Sequence, residues 1–216
     1  RRSSTDKRVE VKRAPAKSND RPLEAGVPLS AEDIVLDGAA HRRLIGSILR
    51  AAHHRVVLHS TFLSLKGFEA VRDDLRAAAD NGAAIDILYG ADKDDKTREK
   101  NREAALKIAK AISLDAKLSP RVRMHVRSTQ SHAKLIVADA GTEQSFVAVV
   151  GSCNWLSTPY RRVEASAVIR DGRIVSQLLR EICEMCFATI RSAPLIGDLD
   201  QLAERIARRP GPRAQG

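Results

Sequence analysis

Apolar residues recur along the chain with two periods, and each period predicts a different kind of element. Between Ala39 and His53, the apolar positions Leu44, Ile45 and Ile48 follow the rhythm of one helix face. Short apolar runs that end at Gly, Asn or Asp are typical of buried strands. The pattern predicts helices over residues 39–53, 67–80, 94–112, 174–190 and 198–207, and strands over residues 55–60, 84–89, 122–126, 133–138, 146–150 and 163–169.

The order of these elements indicates the fold class. Helices and strands alternate in the first half of the chain, and several strands follow one another in the second half. Such an order predicts an α/β fold in which a mixed β-sheet is sandwiched between helices. The chain has 216 residues, of which 43% are hydrophobic, and this is enough for one domain with a sizeable core. The highly charged helix over residues 94–112 is expected to present a solvated face, or alternatively to flank a groove for nucleic acid.

The net charge of +10 is concentrated at the two ends of the chain. Residues 1–22 carry +5 and residues 204–216 carry +3, which leaves +2 for the residues between them. Composition predicts that residues 1–30 form a basic, disordered tail or linker, and that residues 204–216 form a basic tail containing Pro and Gly. These segments are either linkers to neighbouring domains or arms that contact the phosphates of nucleic acid without reading its sequence.

The apolar runs and the cysteines of the sequence indicate the cellular compartment. No apolar run approaches the ~18 residues of a membrane span, and no charged-then-apolar leader is present. Three cysteines, an odd number, suit a reducing compartment better than a disulfide framework. These features predict a soluble, cytoplasmic protein without a membrane partner. The pair Cys183 and Cys186 lies in an apolar helical run, so a core role is expected rather than a zinc or redox site. Cys153 is expected to be a small packed residue.

The most specific polar pattern is His132-x-Lys134, then Asp139 after four intervening residues, and then Gly-Ser-Cys-Asn at residues 151–154. Side chains alternate along an extended strand, so His132 and Lys134 are expected to point to the same side. Asp139 follows His132 by an odd number of residues and is therefore expected to face away and to be structural. Asn154 can add amide donors for a phosphate oxygen. Imidazole, ammonium and amide together form a metal-free site for splitting a phosphodiester.

This pattern resembles the HKD motif of the phospholipase D superfamily. The resemblance extends over about residues 39–190, because residues 55–62 resemble the first strand of such a domain. Residues 162–169 resemble the strand that brings an acid to the catalytic histidine. One departure is Arg162, where the family often carries asparagine. The resemblance implies a phospholipase D-like catalytic domain over residues 31–203.

The resemblance also implies a role for each matching residue. His132 would be the nucleophile that forms a phosphohistidine intermediate, or its acid partner. Lys134 and Asn154 would bind the non-bridging phosphate oxygens, and Ser152 could add a hydroxyl donor. Glu164 would hydrogen-bond an imidazole nitrogen and fix its tautomer. Asp139 and Gly151 are the structural members of the motif. No divalent metal or other cofactor is needed.

The number of histidines constrains this mechanism. The family mechanism needs two HKD histidines, and His132 is the only histidine followed by a lysine at the right distance. The simplest solution is a homodimer in which two motifs meet across a twofold axis. The alternative is a second motif in a missing part of a longer polypeptide, since the chain starts at Arg1 without an initiator Met. Further domains or subunits of a larger assembly are therefore possible partners.

Three substrate hypotheses remain after these observations. The first is a nuclease that cleaves DNA or RNA, favoured by small size, basic tails and expected dimerisation. The second is a phospholipid phosphodiesterase or transferase, although such enzymes usually carry two motifs in one chain. The third is a non-catalytic module that binds nucleic acid or protein and retains the pocket. The intact set His132, Lys134, Asn154 and Glu164 argues for catalysis.

Overall fold

A computed structural model describes residues 30–90, 94–139, 141, 145–157 and 160–208. Most of the two predicted basic tails, residues 1–29 and 209–216, lies outside the described residues. A 3₁₀ turn, Ala31–Asp33, precedes the first strand. The strands are β1 Ile34–Asp37, β2 Arg55–Ser60, β3 Ala84–Tyr89, β4 Val122–Met124, β5 Leu135–Asp139, β6 Phe146–Gly151 and β7 Val163–Ile169. The helices are α1 Gly38–Ala51, α2 Leu65–Glu69, α3 Arg72–Asp80, α4 Asp95–Ser113, α5 Gly172–Thr189 and α6 Ala193–Ala207.

The seven strands form one mixed sheet in the order β1-β7-β6-β5-β2-β3-β4. β2 pairs in parallel with β3, and β3 with β4, because helices connect these strands. The remaining pairs are antiparallel: β5 lies between β2 and β6, and β7 lies between β6 and β1. This topology brings four strand ends together at one edge of the sheet, and the polar pattern described above lies there. They are the end of β2, the start of β5, the end of β6 and the start of β7.

Helices cover both faces of this sheet. On one face α1, α2, α3 and α4 contribute residues such as Ile45, Phe68, Leu75 and Ile108 to a large core cluster. On the other face α5 and α6 pack against alternate residues of β2, β5 and β6, such as Val57. The α/β sandwich predicted from the order of elements is therefore confirmed. Within the described part of the chain, no helix is both long and apolar enough to span a bilayer.

Capping residues explain where several helices begin. Asp37, Ser64, Asp94 and Asp171 each accept a backbone N–H of the first turn, which satisfies donors that the helix itself leaves unpaired. The predicted helix 67–80 is in fact two helices. Ser64 starts α2 earlier than predicted, and the buried Val71, with φ −118°, separates α2 from α3.

Two elements differ from their predictions at the ends of the domain. The edge strand β1 is not predicted, because its apolar run of three residues is shorter than the runs that indicate a buried strand. Helix α6 begins at Ala193 rather than at residue 198, since Pro194 lies in the first turn, where its missing N–H costs nothing. The same helix continues through Ala207 and buries Ile206, so residues 204–207, assigned above to the basic tail, are helical.

The cysteines are free thiols of the interior. Cys153 and Cys186 are buried, and Cys183 is half-buried beside Cys186 in the core under α5 and α6. Burial raises the pKa of Cys153 to about 12 and that of Cys186 to about 12, because a buried thiolate is poorly solvated. Such thiols are chemically inert, which agrees with the packing role expected from the sequence.

Candidate active site

The residues of the polar pattern lie at the sheet edge where four strand ends meet. His132 and Lys134 directly precede β5, Asn154 follows β6, and Glu164 is the second residue of β7. The residues that directly precede β5 do not belong to the sheet, so the predicted strand 133–138 starts two residues later than expected. Their closeness therefore comes from loop contacts as well as from strand alternation.

The imidazole of His132 and the ammonium of Lys134 are in contact. The side chain of His132 is exposed, and Lys134 Nζ lies 3.3 Å from His132 Nδ1 and 3.1 Å from the His132 carbonyl oxygen. An ammonium can only donate, so Nδ1 accepts and a neutral His132 ring carries its proton on Nε2 in this arrangement. The His132 and Phe62 rings also pack in a T-shaped arrangement, with centroids 5.9 Å apart and planes at 87°.

A three-residue segment after β2, Thr61 to Leu63, joins the parts of the site. Thr61 Oγ1 accepts a hydrogen bond from Lys134 Nζ at 2.9 Å and lies 2.9 Å from the carbonyl oxygen of His132, to which it can donate. The Phe62 N–H donates to Asn154 Oδ1 at 3.2 Å. This bond fixes the orientation of the Asn154 amide and turns its Nδ2 hydrogens away from the segment. The structure thus brings His132, Lys134 and Asn154 together around one segment.

Glu164 and Ser152 form a second unit at the same edge. The Ser152 hydroxyl donates to Glu164 Oε2 and accepts from the Ala165 N–H at 3.0 Å. The single hydroxyl hydrogen of Ser152 is therefore directed to Glu164, and its use as a phosphate donor stays a prediction. The predicted hydrogen bond from Glu164 to an imidazole likewise stays a prediction, because the partner that the structure gives Glu164 is Ser152.

Gly151 allows β6 and β7 to approach each other closely. A Cβ at this position would lie 2.2 Å from Ser166 Oγ and 2.3 Å from the Ala165 carbonyl oxygen. Ser166 in turn is hydrogen-bonded to the buried His41 of α1, at 2.9 Å between Oγ and Nε2. The glycine of the Gly-Ser-x-Asn segment is thus required by packing, and it brings Ser152 to the start of β7.

Asp139 lies at the opposite end of β5 from Lys134. Its carboxylate is fully buried and accepts the backbone N–H groups of His53, His54 and Arg55, at 2.9, 3.0 and 2.8 Å. These three amides form the turn from α1 into β2, and a buried carboxylate that accepts several amides stabilises such a turn strongly. The geometry is that of a residue that holds two strands in register.

His59 is a titratable group close to the site that the sequence did not single out. It is fully buried; its Nδ1 lies 2.8 Å from the Ala133 carbonyl oxygen and its Nε2 lies 2.6 Å from Thr129 Oγ1. Because a carbonyl oxygen only accepts, Nδ1 carries the proton, which leaves Nε2 as an acceptor. The single hydrogen of the Thr129 hydroxyl can be donated to Nε2 or to the Tyr89 carbonyl oxygen, which lies 3.1 Å away. Burial lowers the pKa of His59 to about 4, so the ring is neutral at pH 7.

Asn101 is a further residue near the site without a sequence signal. It lies in the charged helix α4, yet it is buried. Its Oδ1 accepts from the Leu63 N–H at 3.0 Å, and its Nδ2 donates to the Thr61 carbonyl oxygen at 3.3 Å. The sequence hint available for Thr61 and Leu63 is their place after a predicted strand, whereas Asn101 is surrounded by charged residues that indicate a solvated face.

Comparison with known proteins bears on both the fold and the family. The chain matches over residues 44–186 the family model described as "Cardiolipin synthase, PLD-like domain". NucT from Helicobacter pylori superposes with a TM-score of 0.52 at 11% identity, over 72% of this chain and 95% of that chain. Phosphatidylserine synthase from Haemophilus influenzae Rd KW20 gives a TM-score of 0.49 at 12% identity, over 84% of this chain and 44% of that chain. The archaeal chromatin protein TrmBL2 gives a TM-score of 0.46 at 17% identity, over 72% of this chain and 52% of that chain. No curated protein matches the sequence.

The mixed sheet, its two helical layers and the side chains at the strand ends define a phospholipase D-like domain. The family match covers well over half of the chain, and the protein belongs to the phospholipase D superfamily, in the family described as cardiolipin synthase, PLD-like domain. The structural likeness to NucT, at 11% identity, adds evidence for the fold alone.

Proposed function

We propose that this protein is a metal-independent phosphodiesterase that cleaves nucleic acid through a phosphohistidine intermediate, with an active site shared by two copies of the chain. The observation that carries the proposal is the contact between the exposed His132 ring and the Lys134 ammonium, with Asn154 tied to the same segment. A nucleophile, a cation and an amide donor at one strand edge suit attack on a phosphodiester.

In the first step a nitrogen of His132 attacks phosphorus. The N–P bond forms while the bond to the leaving oxygen breaks, and an acid donates a proton to that oxygen. Lys134 exchanges its contact with Nδ1 for a non-bridging phosphate oxygen, and Asn154 Nδ2 donates to the same group. Nδ1 is then released from the ammonium and can hold the ring proton, which leaves Nε2 as the nucleophile. We assign Glu164 as the carboxylate that orients the ring.

In the second step water replaces the histidine. The residue that acted as acid now takes a proton from the water, the new O–P bond forms, and the N–P bond to His132 breaks. One chain contains one His-x-Lys pair, so the acid and base is assigned to His132 of a second copy. A twofold axis through the site would place the two rings on opposite sides of the phosphorus.

The proposed substrate class rests on charge near the site. Arg161 and Arg162 are exposed and directly precede β7 at the same edge as Glu164. Guanidinium groups beside a phosphate site suit a substrate that carries further phosphates on either side of the scissile one, as nucleic acid does. The net charge of +10 favours the same class of substrate.

The test is a cleavage assay with excess EDTA on plasmid DNA, single-stranded DNA, RNA and phosphatidylcholine vesicles. We expect the wild-type protein to cleave at least one nucleic acid, and His132→Ala to lower the rate by on the order of 10³-fold or more, because the nucleophile is lost. His53→Ala is the matched control, since His53 is also exposed but lies at the far end of β2.

Three results would contradict the proposal. Cleavage that requires Mg²⁺ and survives His132→Ala would place the chemistry elsewhere. Cleavage of the phospholipid alone would keep the mechanism but reject the substrate class. Binding of nucleic acid without cleavage by the wild-type protein would support a non-catalytic binding module.

A further inference from the structure

We propose that Thr61 is the positioning residue that holds Lys134 and the His132 loop in their reactive arrangement, and that Asn101 of α4 fixes the segment to which Thr61 belongs. The inference rests on the proposed function for its kinetic consequences, but the hydrogen bonds that carry it are independent of the substrate. Neither residue belongs to the polar pattern of the sequence.

The Thr61 hydroxyl is placed between the ammonium and the backbone of the loop. Its Oγ1 accepts from Lys134 Nζ at 2.9 Å, and its hydrogen faces the carbonyl oxygens of His132 and Ala133, at 2.9 and 3.2 Å. Thr61 is fully buried, so water cannot replace these bonds without a rearrangement. The hydroxyl therefore limits the positions that the Lys134 side chain and the His132 backbone can adopt.

The backbone of Thr61 is itself held from the other side. Asn101 donates to the Thr61 carbonyl oxygen at 3.3 Å and accepts from the Leu63 N–H at 3.0 Å. One side-chain amide therefore binds both ends of the segment from Thr61 to Leu63. Between these two points, the Phe62 N–H orients Asn154 and the Phe62 ring contacts His132. A shift of the segment would move the nucleophile, the cation and the amide donor together.

The buried Thr61 hydroxyl bonds to Lys134 Nζ and to the backbone of the loop, so Thr61 acts through Lys134. Catalysis depends steeply on such placement, because a displacement of about 1 Å can cost on the order of 10²-fold in rate. We therefore expect Thr61→Val to lower kcat by roughly 10–100-fold with a smaller change in KM. Thr61→Ser keeps the hydroxyl and should retain most of the activity.

Thr61→Val and Thr61→Ser together distinguish a positioning role of the Thr61 hydroxyl from a packing role of its methyl group. Valine has nearly the shape of threonine, whereas serine lacks its methyl group, so a packing role predicts wild-type activity for Thr61→Val and a defect for Thr61→Ser. Thr189→Val is the matched control, since Thr189 also donates its hydroxyl to a carbonyl oxygen, that of Met185, at 2.6 Å, but in α5. Activity of Thr61→Ser at or below that of Thr61→Val would overturn the proposal.

A second measurement does not depend on catalysis. In a ¹H–¹⁵N correlation spectrum of the lysine ammonium groups, Lys134→Arg identifies the signal of Lys134. We expect the Lys134 ammonium signal to be protected from hydrogen exchange with water in the wild type and in Thr61→Ser. In Thr61→Val we expect this signal to be lost. An unchanged signal in Thr61→Val, or no protected signal in the wild type, would overturn the positioning role. If the wild type cleaves none of the four substrates, the proposed function fails, while this spectrum still decides the role of Thr61.

Discussion

At the scale of single residues, His59 supports the loop that carries His132. Its Nδ1–H donates to the carbonyl oxygen of Ala133, the residue between His132 and Lys134. The ring is neutral because it is buried, and burial lowers its pKa to about 4. A buried neutral histidine is a reliable donor at pH 7, but it makes the folded state sensitive to acid.

We expect His59 to make the protein less stable as the pH falls from 6.5 to about 4. In this window the unfolded chain, with a His59 pKa of 6.5, binds a proton that the folded chain does not bind. The contribution of His59 is therefore complete above pH 6.5 and is lost towards pH 4, with a total on the order of 3 kcal/mol. His59→Asn keeps a donor near the Nδ1 position and does not titrate.

Urea unfolding at pH 7, 6, 5 and 4.5 checks this expectation. The free energy of unfolding of the wild type should fall more steeply with decreasing pH than that of His59→Asn, because other groups titrate equally in both proteins. Parallel pH dependences of the two proteins would show that His59 is not held neutral by burial.

At the scale of elements, the short helix α2 positions the segment that forms the site. Leu63 and Leu156 form an isolated parallel bridge, and the Ser64 N–H donates to the Leu156 carbonyl oxygen at 2.8 Å. Gly67 of α2 lies directly against this strand-like contact, since a Cβ there would be 2.2 Å from the Leu156 carbonyl oxygen. The contact connects the Thr61 segment to the turn after Asn154.

Gly67→Ala is therefore expected to destabilise the fold by roughly 1–3 kcal/mol, because the obstacle is backbone and cannot rotate away. Gly197→Ala in α6 is the matched control. Among the residues that the structure describes, no heavy atom outside the adjacent residues and the local helix backbone lies within 4 Å of a Cβ at residue 197. Alanine favours the helix by about 0.5–1 kcal/mol. Urea unfolding of both variants measures the two effects; destabilisation of similar size in both would reject the close contact at Gly67.

At the scale of the whole molecule, the chain supplies one half of the proposed catalytic machinery. His132 is the only histidine in the sequence with a lysine two positions later, while the proposed mechanism uses two such rings. A composite site at a twofold axis would satisfy this requirement with a self-complementary surface. The oligomeric state then becomes part of the chemistry.

A heterodimer of wild type and His132→Ala, purified through two different affinity tags, tests the shared site. It contains one reactive ring, so we expect multiple-turnover activity at least about 100-fold below that of the wild-type dimer. A heterodimer of wild type and His53→Ala should be fully active and controls for the tags. Half of the wild-type activity in the His132→Ala heterodimer would show that each chain carries an independent site.

Much of the fold follows from local patterns. The strands predicted over residues 55–60, 84–89 and 163–169 coincide with β2, β3 and β7. Short alternating or continuous apolar runs are typical of strands and too short for most helices. The division of the predicted helix 67–80 was not foreseen, since Val71 has an ordinary apolar side chain in the sequence, and its non-helical backbone is seen only in the folded core. The edge strand β1 was missed because its apolar run has only three residues, and its strand character comes from pairing with the distant β7.

The sequence by itself determined the order of most elements, the fold class and the polar pattern from His132 to Asn154, because these depend on residues that are close along the chain. Only the tertiary structure decided which side chains support that pattern. Thr61 lies 73 residues from Lys134, and Asn101 lies 40 residues from Thr61. Hydrogen bonds between such residues leave no period or spacing in the sequence, since they form only where the sheet brings the ends of β2, β5 and β6 to one edge.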